Sequence, residues 1–269
     1  MAAVRLRGWL PGDLPLLQSL WLTCFHEKEN AAVLFFNRNL SDTHGYVAEE
    51  NGALIAAVYL IDCTLCGKPA HYLCGAATLP DCRGRGVMHA LLAFALDDAK
   101  KRGDAYSVLL PADDGLYAFY GAQGYVPCGA VCYGDFTTGG AAYGEAQPPT
   151  WRCLQQSSGG EHALVWGADF WKFARGYYAC YGAQSLQTAH AAAIYEQDGT
   201  RAEVFYAAYD SFEELKAALA AAGIAQFGMA GSAANPDLAG CTPQRCGMVR
   251  TLQTGLTVPK EVYIGITLD

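Results

Sequence analysis

The residues of this 269-residue chain whose types and spacing best suit ligand binding lie between Thr78 and Leu92. Within this stretch, Arg83-Gly84-Arg85-Gly86 leads directly into a run with helical spacing that begins at Val87. Glycine allows a close approach of the backbone to a bulky group. The first N–H groups of a helix, together with the positive end of its dipole, bind anions. The segment therefore predicts a cradle for a diphosphate.

A second group that could do chemistry is the phenol of Tyr120, within the aromatic segment Leu116–Tyr125. A phenol, with an ordinary pKa of about 10, can donate a hydrogen bond or a proton to a reacting group. The alternative is a role in the core, because Tyr117, Phe119 and Tyr125 surround Tyr120 in the sequence.

Hydrophobic periodicity predicts the elements that position these groups in the first half of the chain. Helices are predicted at Leu14–Phe25, Glu29–Asn39, Val87–Lys101 and Gly115–Ala122, and strands at Tyr46–Glu49, Ala53–Cys63, Ala70–Leu79, Tyr106–Leu110 and Tyr125–Tyr133. Turns at Asn51-Gly52 and Gly67-Lys68-Pro69 link the first three strands as hairpins. The glycine segment then joins a strand to a helix. A Rossmann fold is excluded for two reasons. The strands before the glycine turn in this chain are linked as hairpins, whereas those of a Rossmann fold are not, and this sequence contains no G-x-G-x-x-G.

A segment rich in glycine, alanine and proline separates the two halves, so the predicted domains are residues 1–138 and 151–269 with a linker at 139–150. The second half has a similar order of elements. Its predicted helices are Glu161–Arg175 and a capped helix from Ser211 to about Ala222, and its strands are Gly176–Tyr181, Ala189–Glu196, Ala202–Tyr209, Ile224–Met229, Met248–Leu252 and Val262–Leu268. Asp210-Ser211 opens the second of these helices, and the acidic side chain would repel a diphosphate.

The strand, glycine turn and helix around Arg83–Met88 resemble motif A of the GNAT superfamily of N-acetyltransferases, with Met88 where the family has a small residue. Phe119 to Tyr125 resembles the family's later F-Y-x-x-x-G-[F/Y] segment. The resemblance implies an α/β (α+β) GNAT fold with a mixed central sheet and acetyl-CoA as cosubstrate. It also implies that Tyr120 protonates the departing thiolate.

The resemblance further implies a set of residues that contact acetyl-CoA. They comprise the strand before the turn, the turn with the start of its helix, and the start of the later helix: Ala76, Ala77, Thr78, Arg83, Gly84, Arg85, Gly86, Val87, Met88, His89, Gly115 and Leu116. The acceptor would be a primary amine of a small molecule or peptide. Exposed sheet edges in such folds are compatible with a homodimer.

The tandem order resembles the enhanced intracellular survival group of acetyltransferases, in which an active GNAT domain precedes a degenerate GNAT-like one. That group carries a third domain whose terminal carboxylate is the catalytic base, and this chain is too short to hold it. Asp269 is therefore not expected to inherit that role.

The general base stays open at this point. Candidates are His26 and Glu27 at the end of the first helix, and His71 and Tyr72 in the strand that leads to the glycine turn. Each could equally be a surface or hairpin residue. Asp113, just before the Tyr120 helix, is expected to cap that helix.

Two rival functions remain. A chain that kept motif A but lost its chemistry would be a non-catalytic acyl-CoA-binding sensor. Cys63, Cys66, Cys74 and Cys82 suggest a structural zinc or redox protein, but they lack a second closely spaced pair. Small buried side chains are the better account of these cysteines, so no metal is expected.

Composition limits the class of protein and its partners. Hydrophobic residues make up 52% of the chain and charged residues 16%, which predicts a sizeable core. The net charge of −8 argues against nucleic acid as a partner. The longest apolar run, Leu54–Ile61, is too short to span a bilayer, so no membrane association is expected. Eleven cysteines without an export signal predict reduced thiols in the cytoplasm.

Overall fold

The structure, a computed structural model, describes residues 3–37, 42–139, 162–233, 235–259 and 262–267. They form two compact units. One comprises the described residues up to Val126 together with Val249–Thr257, and the other comprises those of Pro127–Met248 together with Val258–Thr267. Apart from Gly139, the predicted linker at 139–150 lies outside the described residues. The terminal Asp269 lies outside them as well.

The elements follow one another in mixed α/β order, as the sequence predicts. The helices are α1 (Leu14–Phe25), α2 (Glu29–Asn37), α3 (Val87–Arg102), α4 (Asp114–Gly121), α5 (Ala168–Ala179) and α6 (Phe212–Ala221). The strands are β1 (Arg5–Gly8), β2 (Thr43–Glu50), β3 (Ala53–Leu65), β4 (Lys68–Thr78), β5 (Tyr106–Leu109), β6 (Val126–Pro127), β7 (Ala130–Thr137), β8 (Val165–Trp166), β9 (Gln184–Gln187), β10 (Ala191–Asp198), β11 (Arg201–Tyr209), β12 (Gln226–Ser232), β13 (Gln244–Arg245) and β14 (Met248–Thr251).

The sheet of the first unit is mixed, with the strand order β1-β2-β3-β4-β5-β14-β6. Strands β2, β3 and β4 pair antiparallel, whereas β4 and β5, joined through α3, pair parallel. The parallel pairing runs only from Ala70 to Tyr72 on β4, opposite Tyr106 to Val108 on β5. Among the described residues, β4 continues beyond Tyr72 paired with β3, whereas its pairing with β5 stops there, so β4 and β5 separate towards their carboxyl ends.

A β-bulge marks β4 at this opening. The β3–β4 register passes from Tyr59 opposite Cys74 to Ala57 opposite Ala77, so Gly75 and Ala76 face a single residue of β3. The backbone of Gly75 has φ of +59°, and a side chain there would collide with Trp21 and lie 2.8 Å from the ring of Tyr59. Glycine is therefore required both by the bulge and by the aromatic core beneath it.

That aromatic core fixes α1 and α2 against the sheet. Trp21 of α1 stacks on Phe35 of α2 at 4.7 Å and meets Tyr59 of β3 at 5.7 Å. All three side chains are buried. Large aromatic side chains contribute much of the apolar area that a core buries, and favourable ring pairs add about 1 kcal/mol each. The end of α1 is thus held rigidly beside the bulged strand.

The second unit repeats this topology with the strand order β13-β7-β12-β11-β10-β9. Here β9, β10 and β11 pair antiparallel, and α6 connects β11 to the parallel strand β12. A register shift near Ile194 and Tyr195 corresponds to the bulge of the first unit. The internal repeat predicted from the pattern of elements is therefore present in the sheet order.

Several segments differ from the predictions made for them. The strand predicted at Tyr125–Tyr133 is two strands, β6 and β7, in different sheets. They are separated at Gly129, whose φ is +82°. The second unit accordingly begins at Pro127, ahead of the predicted boundary at residue 138. The strand predicted at Gly176–Tyr181 is wrong, because α5 continues to Ala179. Within 262–267 there is only an isolated bridge at Tyr263 instead of the predicted strand.

Candidate active site

A groove of about 340 Å³ in the first unit lies where the glycine turn meets α3. The residues that line it come mainly from that turn and the first turn of the helix: Thr78, Cys82, Arg83, Gly84, Gly86, Val87, Met88, His89 and Phe119. Seven of these nine are among the predicted cofactor residues. The structure therefore brings most of that predicted set to one concave surface.

The two turn positions favour glycine because of their backbone conformation, not because a side chain would lack space. Gly84 has φ of +72° and Gly86 has φ of +75°, and a Cβ on either would have no heavy atom within 4 Å. L-residues rarely adopt such φ values. Both glycines also line the groove. The turn is therefore shaped to let a ligand approach its backbone.

The start of α3 is also built for an anion. Its N-cap is Gly86, and no side chain caps the helix there. At its other end, Gly103 is the C-cap with φ of +105°, and Lys100, Lys101 and Arg102 occupy the last turn. Those cations stabilise the negative end of the dipole. The positive end and its N–H groups face the turn, where an anion would stabilise them.

The two arginines of the turn behave differently. The Arg83 Nε donates a hydrogen bond to the Thr78 carbonyl at 3.0 Å, which folds the turn back onto the end of β4. Arg85 forms a two-point ion pair with Glu50 at 2.5 and 3.1 Å. The same contact lowers the pKa of Glu50 and raises that of Arg85. The Arg85 guanidinium is thus paired with Glu50 of β2, and Arg85 is not among the groove-lining residues.

The predicted strand contacts lie on the bulged end of β4. Ala76 sits in the bulge, and Ala77 pairs with Ala57 and is buried. Thr78 pairs with Ala56 and lines the groove. This edge of β4 is the one from which β5 has separated, so its backbone is placed to pair with an extended ligand.

Tyr120 is buried near the C-terminal end of α4, with 7% of its surface exposed. Its ring packs edge-on against Phe119 at 5.1 Å and against Tyr125 at 5.8 Å. Phe119 itself lines the groove. Asp113 caps the start of α4 by accepting from the Leu116 N–H at 3.1 Å, as predicted. Gly115 and Leu116 are in the first turn of α4 and are not among the groove-lining residues.

The family model for the acetyltransferase (GNAT) domain matches residues 7–128, which include the bulged strand, the groove and Tyr120. The chain carries a GNAT acetyltransferase domain. No curated protein matches the chain significantly.

Solved structures share the fold over both units. A conserved protein from Enterococcus faecalis V583 is 16% identical, with a TM-score of 0.72 over 93% of this chain and 73% of that one. A GCN5-related N-acetyltransferase from Kribbella flavida is 18% identical, with a TM-score of 0.67 over 93% and 71%. Eis1 from Mycobacterium abscessus is 12% identical, with a TM-score of 0.63 over 93% and 74%. The second unit is thus GNAT-like, as predicted.

Two of the four candidate bases of the GNAT domain are inaccessible. His71 and Tyr72 are fully buried. His71 Nδ1 lies 2.6 Å from Asp104, and Nε2 lies 2.7 Å from the Ser107 hydroxyl. Burial lowers the pKa of His71 more than the hydrogen bond to Asp104 raises it. The ring is therefore neutral and has a structural role, because both of its nitrogens are hydrogen-bonded inside the protein.

The other two candidates lie at the end of α1. His26 is the C-cap with φ of +53°, and Glu27 accepts a hydrogen bond from the Trp21 indole at 2.8 Å. The thiol of Cys24 lies 3.5 Å from the Thr78 carbonyl, at the groove. Glu27 therefore follows a helix end that touches the groove strand, and its carboxylate is held by a rigid core side chain.

Phe119 and Cys82 line the groove but were not predicted as groove residues from the sequence. Cys82 was expected to be a small buried side chain, but it is half-buried. The reason is the short 3-10 turn at Pro80–Cys82, which lifts the chain off the sheet. Pro80 was the available signal, because proline commonly opens such a turn. Cys63 and Cys74 are buried as expected, whereas Cys66 is half-buried.

The matching position in the second unit lacks an anion site. Helix α6 is capped by Ser211, whose hydroxyl accepts from the Glu214 N–H at 3.3 Å. Glu213 and Glu214 occupy its first turn. Side-chain capping and negative charge take the place of an anionic ligand there.

Two further observations concern metals and membranes. Among the described residues, His, Cys, Asp and Glu side chains form no group of three or more suited to hold a metal ion. No described helix has the length and apolar composition needed to cross a membrane.

Proposed function

We propose that the chain is an acetyl-CoA-dependent N-acetyltransferase that transfers the acetyl group directly to a primary amine of a small molecule or peptide. The observation that carries this proposal is the uncapped start of α3 facing a glycine turn and groove. The second unit has the same topology but a capped, acidic helix start. One cofactor site per chain is therefore expected, in the first unit.

The cofactor's diphosphate would occupy the groove at Gly84–His89. Backbone N–H groups at the start of α3 would donate to its oxygens, and Arg83 would add positive charge. The pantetheine arm would extend along β4 where β5 has separated, next to Ala76 and Ala77. The chemistry that acetyl-CoA supplies is an activated thioester carbonyl.

The acceptor amine would attack this carbonyl carbon to form a C–N bond. Collapse of the tetrahedral centre breaks the C–S bond, and the thiolate leaves with the electron pair. Tyr120 would stabilise the thiolate or give it the phenol proton. The position of Tyr120 supports this role, because it follows directly on Phe119, which lines the groove. The attacking amine nitrogen becomes positively charged when it forms the C–N bond. It must lose a proton to give the neutral amide product.

We propose that Glu27 is the general base that accepts this proton. It is the candidate that is both a carboxylate and partly accessible, and the Trp21 indole orients it. A carboxylate also favours the approach of a cationic ammonium substrate.

The test is release of free thiol from acetyl-CoA in the presence of a panel of amines, with product identified by mass spectrometry. Tyr120→Phe should lower kcat by about 10²-fold and leave CoA affinity within a factor of about two, because it removes a proton donor but keeps the ring. If the wild-type chain binds CoA tightly and acetylates no amine, it is an acyl-CoA sensor and the enzyme proposal fails.

A further inference from the structure

Gln123 connects the start of α3 with Arg250 of β14 through hydrogen bonds. The Gln123 side-chain amide donates a hydrogen bond to Nδ1 of His89, which lines the groove. The Gln123 backbone carbonyl accepts from Nη1 of Arg250 at 2.5 Å. Gln123 is buried, with 8% of its surface exposed. The contact with Arg250 spans 127 residues of sequence.

Gln123 also belongs to the turn that ends the Tyr120 helix. The Tyr120 carbonyl accepts from the backbone N–H of Gln123 at 2.9 Å and from that of Tyr125 at 3.1 Å. Gly124, between them, has φ of +83°, and a Cβ there would lie 3.5 Å from the Arg250 side chain. Arg250 therefore packs on the turn and also bonds to it.

β14, which carries Arg250, is itself fixed in the sheet of the first unit between β5 and β6. Directly after it, the Leu252 N–H donates to the Ala105 carbonyl at 2.9 Å. The Gln253 amide then donates to the carbonyls of Lys100 and Asp104, each at 3.1 Å. Arg250 thus projects from a segment with several independent anchors.

The bond from Gln123 has a chemical consequence for His89. An amide N–H can only donate, so Nδ1 of the imidazole must accept and the ring proton of the neutral form lies on Nε2. That nitrogen is then a hydrogen-bond donor on a residue of the groove. A donor is what an anionic ligand requires.

We propose that Gln123 and Arg250 are positioning residues that hold His89 as a side-chain donor to the diphosphate of the cofactor. Arg250 fixes the Gln123 main chain, Gln123 selects the His89 tautomer, and the same turn anchors Tyr120. Strand β14 thereby sets both cofactor affinity and the position of the catalytic phenol. This inference rests on the proposed function, since it assumes that CoA binds in the groove.

The first experiment measures the tautomer directly. Ring ¹⁵N chemical shifts of His89 should report a proton on Nε2 in the wild-type chain. In Gln123→Glu the carboxylate can only accept, so Nδ1 should become protonated. The control Gln184→Glu changes the charge equally at an exposed position of β9 and should leave the His89 signals unchanged. If Gln123 does not bond to His89 in solution, the protonation of Nδ1 should not change.

The second experiment measures CoA binding by calorimetry. Arg250→Ala should weaken CoA binding about tenfold and lower kcat as well, since both His89 and Tyr120 lose their anchor. Arg250→Lys retains a donor and should recover most of the affinity. Arg5→Ala, at an exposed position of β1, should bind as the wild type does.

The outcomes separate the two proposals. If the wild type binds no CoA, the proposed function fails. If the wild type binds CoA, and Gln123→Glu leaves Nδ1 of His89 without a proton, this inference fails alone. Should Arg250→Ala not fold, the Gln123→Glu and Arg250→Lys variants still decide the question.

Discussion

Glu27 and Trp21 illustrate how a single core contact can prepare a reactive group. The Trp21 indole is buried in the aromatic core and donates to Glu27 at 2.8 Å. A carboxylate held in this way loses little conformational freedom when a substrate arrives.

We predict that Glu27→Gln lowers kcat/KM by about 10²-fold near neutral pH, because the amide cannot accept the amine proton. Activity should recover partly at higher pH, where more of the acceptor is already deprotonated. The measurement is the pH dependence of thiol release. Glu29→Gln, at the start of α2, is the matched control and should behave as the wild type. Equal profiles for Glu27→Gln and the wild type would exclude Glu27 as the base.

At the scale of elements, α3 offers a comparison within one helix. It begins at Gly86 and ends at Gly103, both with positive φ and both with open space where a side chain would be added. We predict that Gly86→Ala and Gly103→Ala each reduce the free energy of unfolding by about 1 kcal/mol, from φ strain alone. Only Gly86→Ala should weaken CoA binding. Equal CoA affinity in both variants would contradict a ligand site at the start of α3.

A buried polar chain stabilises the parallel strands below the groove. Asp104, His71 and Ser107 are hydrogen-bonded in series, and the Ser107 hydroxyl lies 2.5 Å from that of Tyr125. Burial alone would raise the pKa of Asp104, but His71 and Arg102 together lower it. The carboxylate is therefore ionised while His71 stays neutral.

This polar chain predicts a pH dependence of stability. Because the pKa of His71 is lowered from 6.5 in the folded state, the unfolded state binds more protons below pH 6.5. Stability from this group is complete above pH 6.5 and falls as the pH drops, by at most about 1.4 kcal/mol per pH unit. Denaturant unfolding between pH 8 and pH 5 measures it. The slope should flatten in His71→Gln but persist in His190→Gln, which removes an exposed histidine. An unchanged slope in His71→Gln would refute the assignment.

At the scale of the whole molecule, each of the two sheets includes a strand that is distant in sequence from the strand it lies beside. In the first unit, β14 lies beside the parallel strand β5, and in the second unit, β7 lies beside the parallel strand β12. Each of these two strands thus lies in the sheet formed mainly by the other half of the chain. Folding of the first unit therefore depends on residues near the end of the chain.

Much of the first unit was predictable from the sequence, because its signals are local. Periodicity defined α1 and α3 closely, and Gly84, Gly86 and Tyr120 stood in motifs with a physical meaning. The placement of β7 and β14 was not predictable, because strand pairing between segments so distant in sequence leaves no local pattern. The hydrogen bond between Gln123 and Arg250 could not be predicted for the same reason. His71 was a candidate base because burial and its Ser107 partner cannot be seen in sequence.

The central claim is one acetyl-CoA site per chain, at the start of α3. Isothermal titration of CoA into the purified chain tests it most directly. We predict a stoichiometry of one for the wild type, and loss of binding in Gly86→Asp, where a carboxylate would oppose the diphosphate. A stoichiometry of two, no binding by the wild type, or undiminished binding by Gly86→Asp would contradict it.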